Sequence, residues 1–253
     1  YIVSSAIFSR AMVGAVLLSG NLKNSTDSLS LKWDCSGEAK NIFVEVTGNG
    51  NVKGYIGENN LKLIEKSLKN NFILSEPYIG FGEITLTRNS VFSKMPYNSL
   101  TVIETGEIAE DLSLHIKQSL QIESAIKIGL SIDSSNNIET CGGVLFMAMP
   151  NCSNEEIDLL HKTFNELESL TDLLMNTNND LEQIEKYFAP LDLQSISTRA
   201  INFNCNCNIL KIKNILKSLK KEDLQDYLSE SGKIEASCQY CGKKYIFNET
   251  NLE

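Results

Sequence analysis

Two close cysteine pairs, Cys205-Asn-Cys207 and Cys238-Gln-Tyr-Cys241, are separated by thirty residues. This arrangement restricts the fold more than anything else in the chain. A zinc ion held by both pairs needs four sulfurs at the corners of a tetrahedron, each about 2.3 Å from the centre. A pair on a tight turn supplies two of those sulfurs from one short stretch of backbone. Gly242 follows the second pair and is free to take the positive-φ conformation that a metal-binding turn often needs. The Cys205–Cys207 spacing is tighter than the usual two-residue gap, yet it still points two sulfurs at one centre. Between the pairs, Ile209, Ile212, Ile215, Leu216 and Leu219 recur at helical spacing. A break at Lys220-Lys221-Glu222-Asp223 and a second short helix on Leu224, Tyr227 and Leu228 follow. The stretches GKIEASC and KKYIFN predict a hairpin that carries the second pair.

Three readings of these thiols compete. A thioredoxin-like redox pair needs a C-x-x-C where a strand runs into a helix, and that setting is absent. A purely structural zinc site is the second reading. The third is a zinc site that doubles as a redox switch, because metal-bound sulfurs remain thiolates, the form that oxidants attack. Size bears on the last two. About fifty residues with few apolar side chains lie close to the limit at which a domain needs a metal or disulfides to stay folded. Structural zinc supplies on the order of 10–16 kcal/mol of apparent binding free energy, so losing it should unfold the module.

The chain has 253 residues, 42% of them hydrophobic, enough for one sizeable core with an appendage or for two modest domains. A formal charge of −9 and an isoelectric point near 4.9 argue against a nucleic-acid partner, which normally meets a basic face. Seven cysteines is an odd number, and Cys35, Cys141 and Cys152 lie far apart. A secreted disulfide scaffold shows an even framework in a short chain, so a reducing compartment, the cytoplasm, is expected. The three lone cysteines read as small buried hydrophobes.

The opening stretch IVSSAIFSRAMVGAVLLSG is apolar enough to suggest a signal peptide or a membrane span. Arg10 at its middle opposes both, since a charge at a bilayer centre costs about 2.5–3.5 kcal/mol on insertion scales. Ile2, Ala6, Ser9, Val13, Val16 and Leu17 fall at helical spacing, which predicts a core helix and no membrane contact. The chain starts on tyrosine, and a truncated N-terminal end is expected.

Residues 29–150 read mainly as strands. LSLKWD and NIFVEVTGNGNVKGYIG alternate around a Gly48-Asn49-Gly50-Asn51 turn; GEITLTRN, NSLTVIET, AIKIGLSID and GGVLFMAMP add more, and GEIAEDLSLHIKQSLQ reads as a helix. From residue 151 the pattern changes. Ile157, Leu160, Phe164, Leu167, Leu170 and Leu174 form one apolar stripe on a helix, and Leu181, Ile184, Tyr187 and Phe188 start another. Residues 152–204 carry ten acids against three bases, most of the chain's net charge. Those acids are either a solvated outer face or a source of repulsion that makes the segment easily released. The expected architecture is α+β: a core of packed β-sheets with helices (1–150), a helical linker (151–204) and a small zinc-binding module (205–253).

No catalytic constellation is present, so no enzyme is expected. His115 and His161 each sit on an expected helix, where surface or capping roles suit them. Glu107, Glu110 and Asp111 gather at a helix start, where acids stabilise the dipole.

The segments NCNC and GKIEASCQYCGKKYIF resemble the zinc module of the heat shock protein 33 family, redox-regulated holdase chaperones. GNGNVKGYIG, PYNSLTVIETGEIAEDL, GEIAEDLSLHIKQSLQIESAIKIGLSID and CGGVLFMAMP are similar to that family's core segments, in order along nearly the whole chain. The resemblance implies zinc held by Cys205, Cys207, Cys238 and Cys241, and an inactive reduced form. It implies that hypochlorous acid, or peroxide with heat, expels the metal and forms two disulfides, Cys205–Cys207 and Cys238–Cys241. Each closes so short a loop that it restrains the unfolded chain little. The linker then unfolds, and exposed apolar surface holds unfolding client proteins without ATP, typically in a homodimer. The alternative is a protein whose zinc module is a permanent recognition surface for nucleic acid or protein; up to residue 247 the module carries eight lysines against five acids.

Overall fold

The computed structural model describes every residue except 70–71, 168, 178–179, 220–223, 225–231 and 249–253. Helices and sheets are mixed, in keeping with the α+β expectation, and the chain divides into two units, Tyr1–Asn202 and Phe203–Glu253.

In the first unit the alternating stretches become strands β1 (Ser28–Cys35), β2 (Asn41–Thr47) and β3 (Asn51–Ile56). A two-residue pairing of β4 (Leu68–Lys69) with β5 (Phe72–Ile73) and the short helix α2 (Glu76–Ile79) lead to β6 (Gly82–Asn89) and β7 (Tyr97–Val102). The main sheet runs β3-β2-β1-β6-β7, each pair antiparallel. Its register aligns the buried positions. Leu31 and Trp33 sit opposite Val44 and Ile42 on one side and Leu86 and Ile84 on the other, and all six are buried. Burying alternate residues on one face is what locks this register, because a one-residue slip turns every core side chain to solvent. The β2–β3 turn closes with the Gly50 N–H donating to Thr47 O at 2.8 Å, with Gly50 at φ +85°. At β10 (Asn202–Phe203), the Asn202 N–H donates to Gly50 O at 3.0 Å.

Helix α1 (Ile2–Leu18) packs against the main sheet and against the hairpin of β8 (Ser124–Ile132) and β9 (Ile138–Met147). Contact on both sides corrects the expected stripe. Of its six positions only Ala6 is fully buried; Val3, Ile7, Ala11 and Ala15 form the innermost face, with Ile2, Val16 and Leu17 partly buried around it. The stretch Ile2–Asn21 is long and apolar enough to cross a membrane, yet more than half of its most apolar part is buried within the protein. Arg10 is itself only 3% exposed. Its guanidinium donates to Ile73 O at 2.6 Å and lies 3.9 Å from the centre of the Phe72 ring. A carbonyl and an aromatic face thus receive the charge that the apolar stretch could not explain.

Helix α3 (Ile108–Leu120) packs on β7 and β8. His115, expected at a surface or cap, is 1% exposed between Ser99 Oγ (2.9 Å from Nε2) and Thr101 Oγ1 (2.8 Å from Nδ1) of β7. Burial pushes its pKa down to about 4. His161 is exposed on its helix. The acids at the start of α3 do more than face a dipole. Asp111 accepts from the backbone N–H groups of Glu104, Thr105 and Gly106, and Glu107 accepts from those of Ser75 and Glu76. These carboxylates satisfy loop donors that no strand or helix pairs.

The segment after residue 150 forms α4 (Asn154–Glu166), α5 (Leu170–Asn176) and α6 (Leu181–Tyr187). The single helix expected across 157–174 is broken. The chain leaves α4 at Leu167 (ψ 91°), and the Ser169 side chain starts α5 by accepting the Asp172 N–H. Leu167, Leu170, Leu174 and Phe188 make a buried cluster against Val144 and Phe146 of β9, whereas Ile157, Leu160 and Phe164 are half-buried. Among the described acids of this segment all but the half-buried Glu185 are exposed, which is the solvated outer face of the two readings. The hairpin is shaped for this contact. Gly129 and Gly142 face each other across β8 and β9, and α5 lies over them. The Leu130 N–H donates to Thr171 Oγ1 at 3.1 Å. Lys127 Nζ donates to Phe164 O at 2.7 Å and to Leu167 O, and it lies 4.8 Å from the centre of the Phe164 ring. A lysine thereby satisfies carbonyls that the end of α4 leaves without helical partners.

The second unit has α7 (Ile209–Lys217) and a hairpin of β11 (Ile234–Ser237) with β12 (Lys244–Phe247). Leu216, Cys238, Tyr245 and Phe247 are buried together, with Ile212, Leu224, Ile234 and Ala236 packed against them. The break at Lys220–Asp223 and the short helix around Tyr227 and Leu228 lie outside the described residues.

Candidate metal centre

The centre is built by three local devices. Asn208 caps α7, its side chain accepting the Lys211 N–H at 2.9 Å, so Cys207 stands directly before a helix N-terminus. Lys211 Nζ in turn donates to Asn206 O at 3.0 Å, tying the Cys205–Cys207 stretch to the helix. Across the hairpin, the Cys238 N–H donates to Lys243 O at 2.9 Å and the Gly242 N–H to Cys238 O at 2.8 Å, with Gly242 at φ +70°. That turn places Cys238 and Cys241 on one side.

The four sulfurs lie within 4.8 Å of one another. Between the two pairs, Cys205 Sγ lies 3.6 Å from Cys238 Sγ and Cys207 Sγ lies 3.4 Å from Cys241 Sγ. A tetrahedron with metal–sulfur distances of about 2.3 Å has edges of about 3.8 Å; two of the six edges here, at 3.6 and 3.4 Å, are close to that length, and none is longer than 4.8 Å. All seven cysteines are free thiols. Four thiolates in this arrangement suit zinc or iron–sulfur chemistry and no hard cation, and the residues fit the expected metal.

The electrostatics of the thiols differ. Tyr245 donates its hydroxyl to Cys207 Sγ at 3.1 Å, and this bond, aided by one from Cys241, holds the Cys207 thiol down at about 7. Desolvation pushes Cys205 up to about 12. The same hydrogen bond raises Tyr245 to about 12, since the neutral phenol is the donor. Tyr245 was not legible as a site residue from spacing. Its signal is the strand period: in β12 it alternates with Phe247 on the buried face. Cys35 and Cys141 pack against the core of the first unit, and burial raises their thiols to about 12 and about 11; Cys152 is also raised, by burial and then by Glu156. These are poor nucleophiles.

The family model described as Hsp33 protein matches residues 2–248. A 33 kDa chaperonin of Limosilactobacillus fermentum is 30% identical over 250 residues, covering 99% of this chain and 85% of that protein. One from Agathobacter rectalis is 28% identical over 251 residues, with 99% and 86% covered. Among solved structures, the 33 kDa chaperonin (heat shock protein 33 homolog) of Thermotoga maritima matches with a TM-score of 0.85 at 26% identity, covering 99% of this chain and 84% of that one.

Proposed function

The chain belongs to the Hsp33 family, whose members are chaperones, and from that premise we propose that it is an ATP-independent holdase controlled by oxidation of Cys205, Cys207, Cys238 and Cys241. A chaperone family implies a protein that binds unfolded clients; the switch is our reading. One observation carries it. Among the described residues of the second unit the buried cluster is Leu216, Cys238, Tyr245 and Phe247, and two of these four belong to the metal centre or touch it. A unit of about fifty residues whose described core is built partly from the metal centre itself depends on the metal for its fold.

In the reduced state the four thiolates would hold zinc, whose contribution is to clip the two cysteine pairs together. Peroxide removes two electrons from each pair of thiolates, one S–S bond forming as the O–O bond breaks and two waters leave once protons are taken up. Disulfides within the pairs, Cys205–Cys207 and Cys238–Cys241, leave the metal without donors and replace a long-range clip with two short loops. We assign residues 1–150 to the chaperone core, 151–204 to a linker and 205–253 to the switch, in a cytoplasmic protein that is a homodimer when active. Release of the linker would bare Val144 and Phe146, which its buried cluster now covers.

The test measures zinc, thiols and client aggregation on one sample. Reduced protein should hold one zinc per chain and leave a thermally unfolding enzyme to aggregate. After peroxide at raised temperature it should have lost the zinc and four thiols and should suppress aggregation without ATP. Equal activity in both states defeats the switch. Tight, salt-sensitive nucleic-acid binding by the reduced form would favour a permanent recognition module instead.

A further inference from the structure

Tyr245 is 7% exposed, and its ring packs in the cluster with Phe247, Leu216 and Cys238. A buried phenol needs a partner for its hydroxyl, and here the partner is the Cys207 sulfur at 3.1 Å. The donors that reach two of the other sulfurs are of another kind: the Cys207 N–H serves Cys205, and the Lys243 N–H serves Cys241. Those come with the backbone of the turns. The Tyr245 hydroxyl is a side-chain donor, held by the β11–β12 register that pairs Tyr245 with Ala236.

We infer that Tyr245 is a positioning residue of this centre, whose hydroxyl sets how tightly the four thiolates hold a thiophilic divalent cation and how slowly Cys207 meets an oxidant. The inference rests on the reading of these thiols as a metal-held switch. Four thiolates around a dication carry a net charge of −2, so a donated hydrogen bond stabilises the bound state. Removing outer-shell partners typically lowers metal affinity by about 10- to 100-fold. The same bond draws electron density from sulfur. Oxidation begins when a sulfur lone pair attacks peroxide: an S–O bond forms, the O–O bond breaks and hydroxide leaves, to be protonated to water. A second thiolate then displaces the sulfenic oxygen, forming S–S and releasing the second water. In the metal-held state all four sulfurs are already thiolates, so the hydroxyl adds no thiolate at Cys207 and only lowers the nucleophilicity of the lone pair it engages, which slows the first of these steps. Tyr245 therefore raises the oxidant threshold of the switch.

The test is Tyr245→Phe in the full chain, which keeps the ring and deletes the donor. Co²⁺ and Zn²⁺ are titrated against a competing chelator, and peroxide-driven Zn²⁺ release and alkylation of Cys207 are timed. The variant should bind either ion at least about tenfold more weakly, shift the sulfur-to-cobalt charge-transfer band to lower energy, and release Zn²⁺ several-fold faster. Phe247→Leu disturbs the same cluster without touching the hydroxyl, and it should weaken binding while leaving the band in place. Incorporating 3-fluorotyrosine at 245 strengthens the donor, so the band should move to higher energy and release should slow; this arm decides the matter if Tyr245→Phe does not fold. Unchanged affinity, band and rate in the variants, or an equal band shift in Phe247→Leu, would overturn the inference. Wild-type protein that binds neither ion, or keeps Zn²⁺ after its thiols are oxidised, refutes the switch itself.

Discussion

Gly129→Ala tests how the segment of α4–α6 is held on the core. A Cβ at Gly129 would lie 2.7 Å from Thr171 N and 3.0 Å from the Leu170 carbonyl carbon. Both are backbone atoms at the start of α5, so no side-chain rotation relieves the clash. Reaching ordinary contact at 3.4 Å requires α5 to lift by about 0.7 Å. That movement stretches the 3.1 Å bond from the Leu130 N–H to Thr171 Oγ1. Losing such a bond costs about 0.5–1.5 kcal/mol and overpacking about 1–3 kcal/mol, together about 1.5–4.5 kcal/mol. At about 1.4 kcal/mol per factor of ten, the undocked population rises by about 10- to 1,600-fold. Amide hydrogen exchange reads this directly: protection in α5 should fall by that factor while β1 and β2 keep theirs. Under the proposed function, the reduced, metal-loaded variant should also gain part of the holdase activity without oxidant. Unchanged exchange in α5, or an equal loss across β1 and β2, would refute the reasoning.

Two further outcomes are expected. His115 is neutral and buried with a pKa of about 4, against about 6.5 in an unfolded chain; the unfolded state therefore binds the proton first, and stability present above pH 6.5 is lost as pH falls towards 4. By pH 5 the loss is about 2 kcal/mol, measurable as a fall in the urea midpoint of the first unit followed through Trp33, the single tryptophan, which is fully buried; His115→Gln should flatten that slope, and an identical slope in the variant would count against it. Replacing half-buried Leu160 and Phe164 by serine removes the ring that lies edge-on to Phe146 at 6.5 Å and that Lys127 faces; a cost of about 1–2 kcal/mol per site should speed limited proteolysis between residues 154 and 191, and unchanged cleavage would contradict it.

Much of this protein was legible in its residues. The strands at 28–35, 41–47, 82–89 and 97–102 follow from alternation, and the β2–β3 turn follows from its glycines, because both depend on neighbours in the chain. The helix at 2–18 was legible in extent but not in orientation: packed on two sides, it has no single apolar stripe to read. The apolar spacing of 157–174 continues through a real break, since helical periodicity survives a change of direction when both pieces rest on the same hairpin. The loop contacts of the acids at 107 and 111 and the burial of the histidine at 115 were not legible for a common reason. Their partners, the loops at 75–76 and 104–106 and the hydroxyls of β7, are set by the packing of α3.

The sequence by itself determined the chemistry at stake: four thiols in two pairs, a module too small to fold without help, and an acidic amphipathic segment joining it to a β-rich core. Those are properties of composition and short spacing, carried by the covalent chain whatever its fold. Tertiary structure alone decided that Arg10 rests on Ile73 and Phe72, that Gly129 and Gly142 make a seat for α5, and that Tyr245 reaches the sulfur of Cys207. Each joins residues tens of positions apart. Such contacts arise when whole elements pack to bury their apolar faces, and which polar groups then meet depends on the registers and crossings that packing selects.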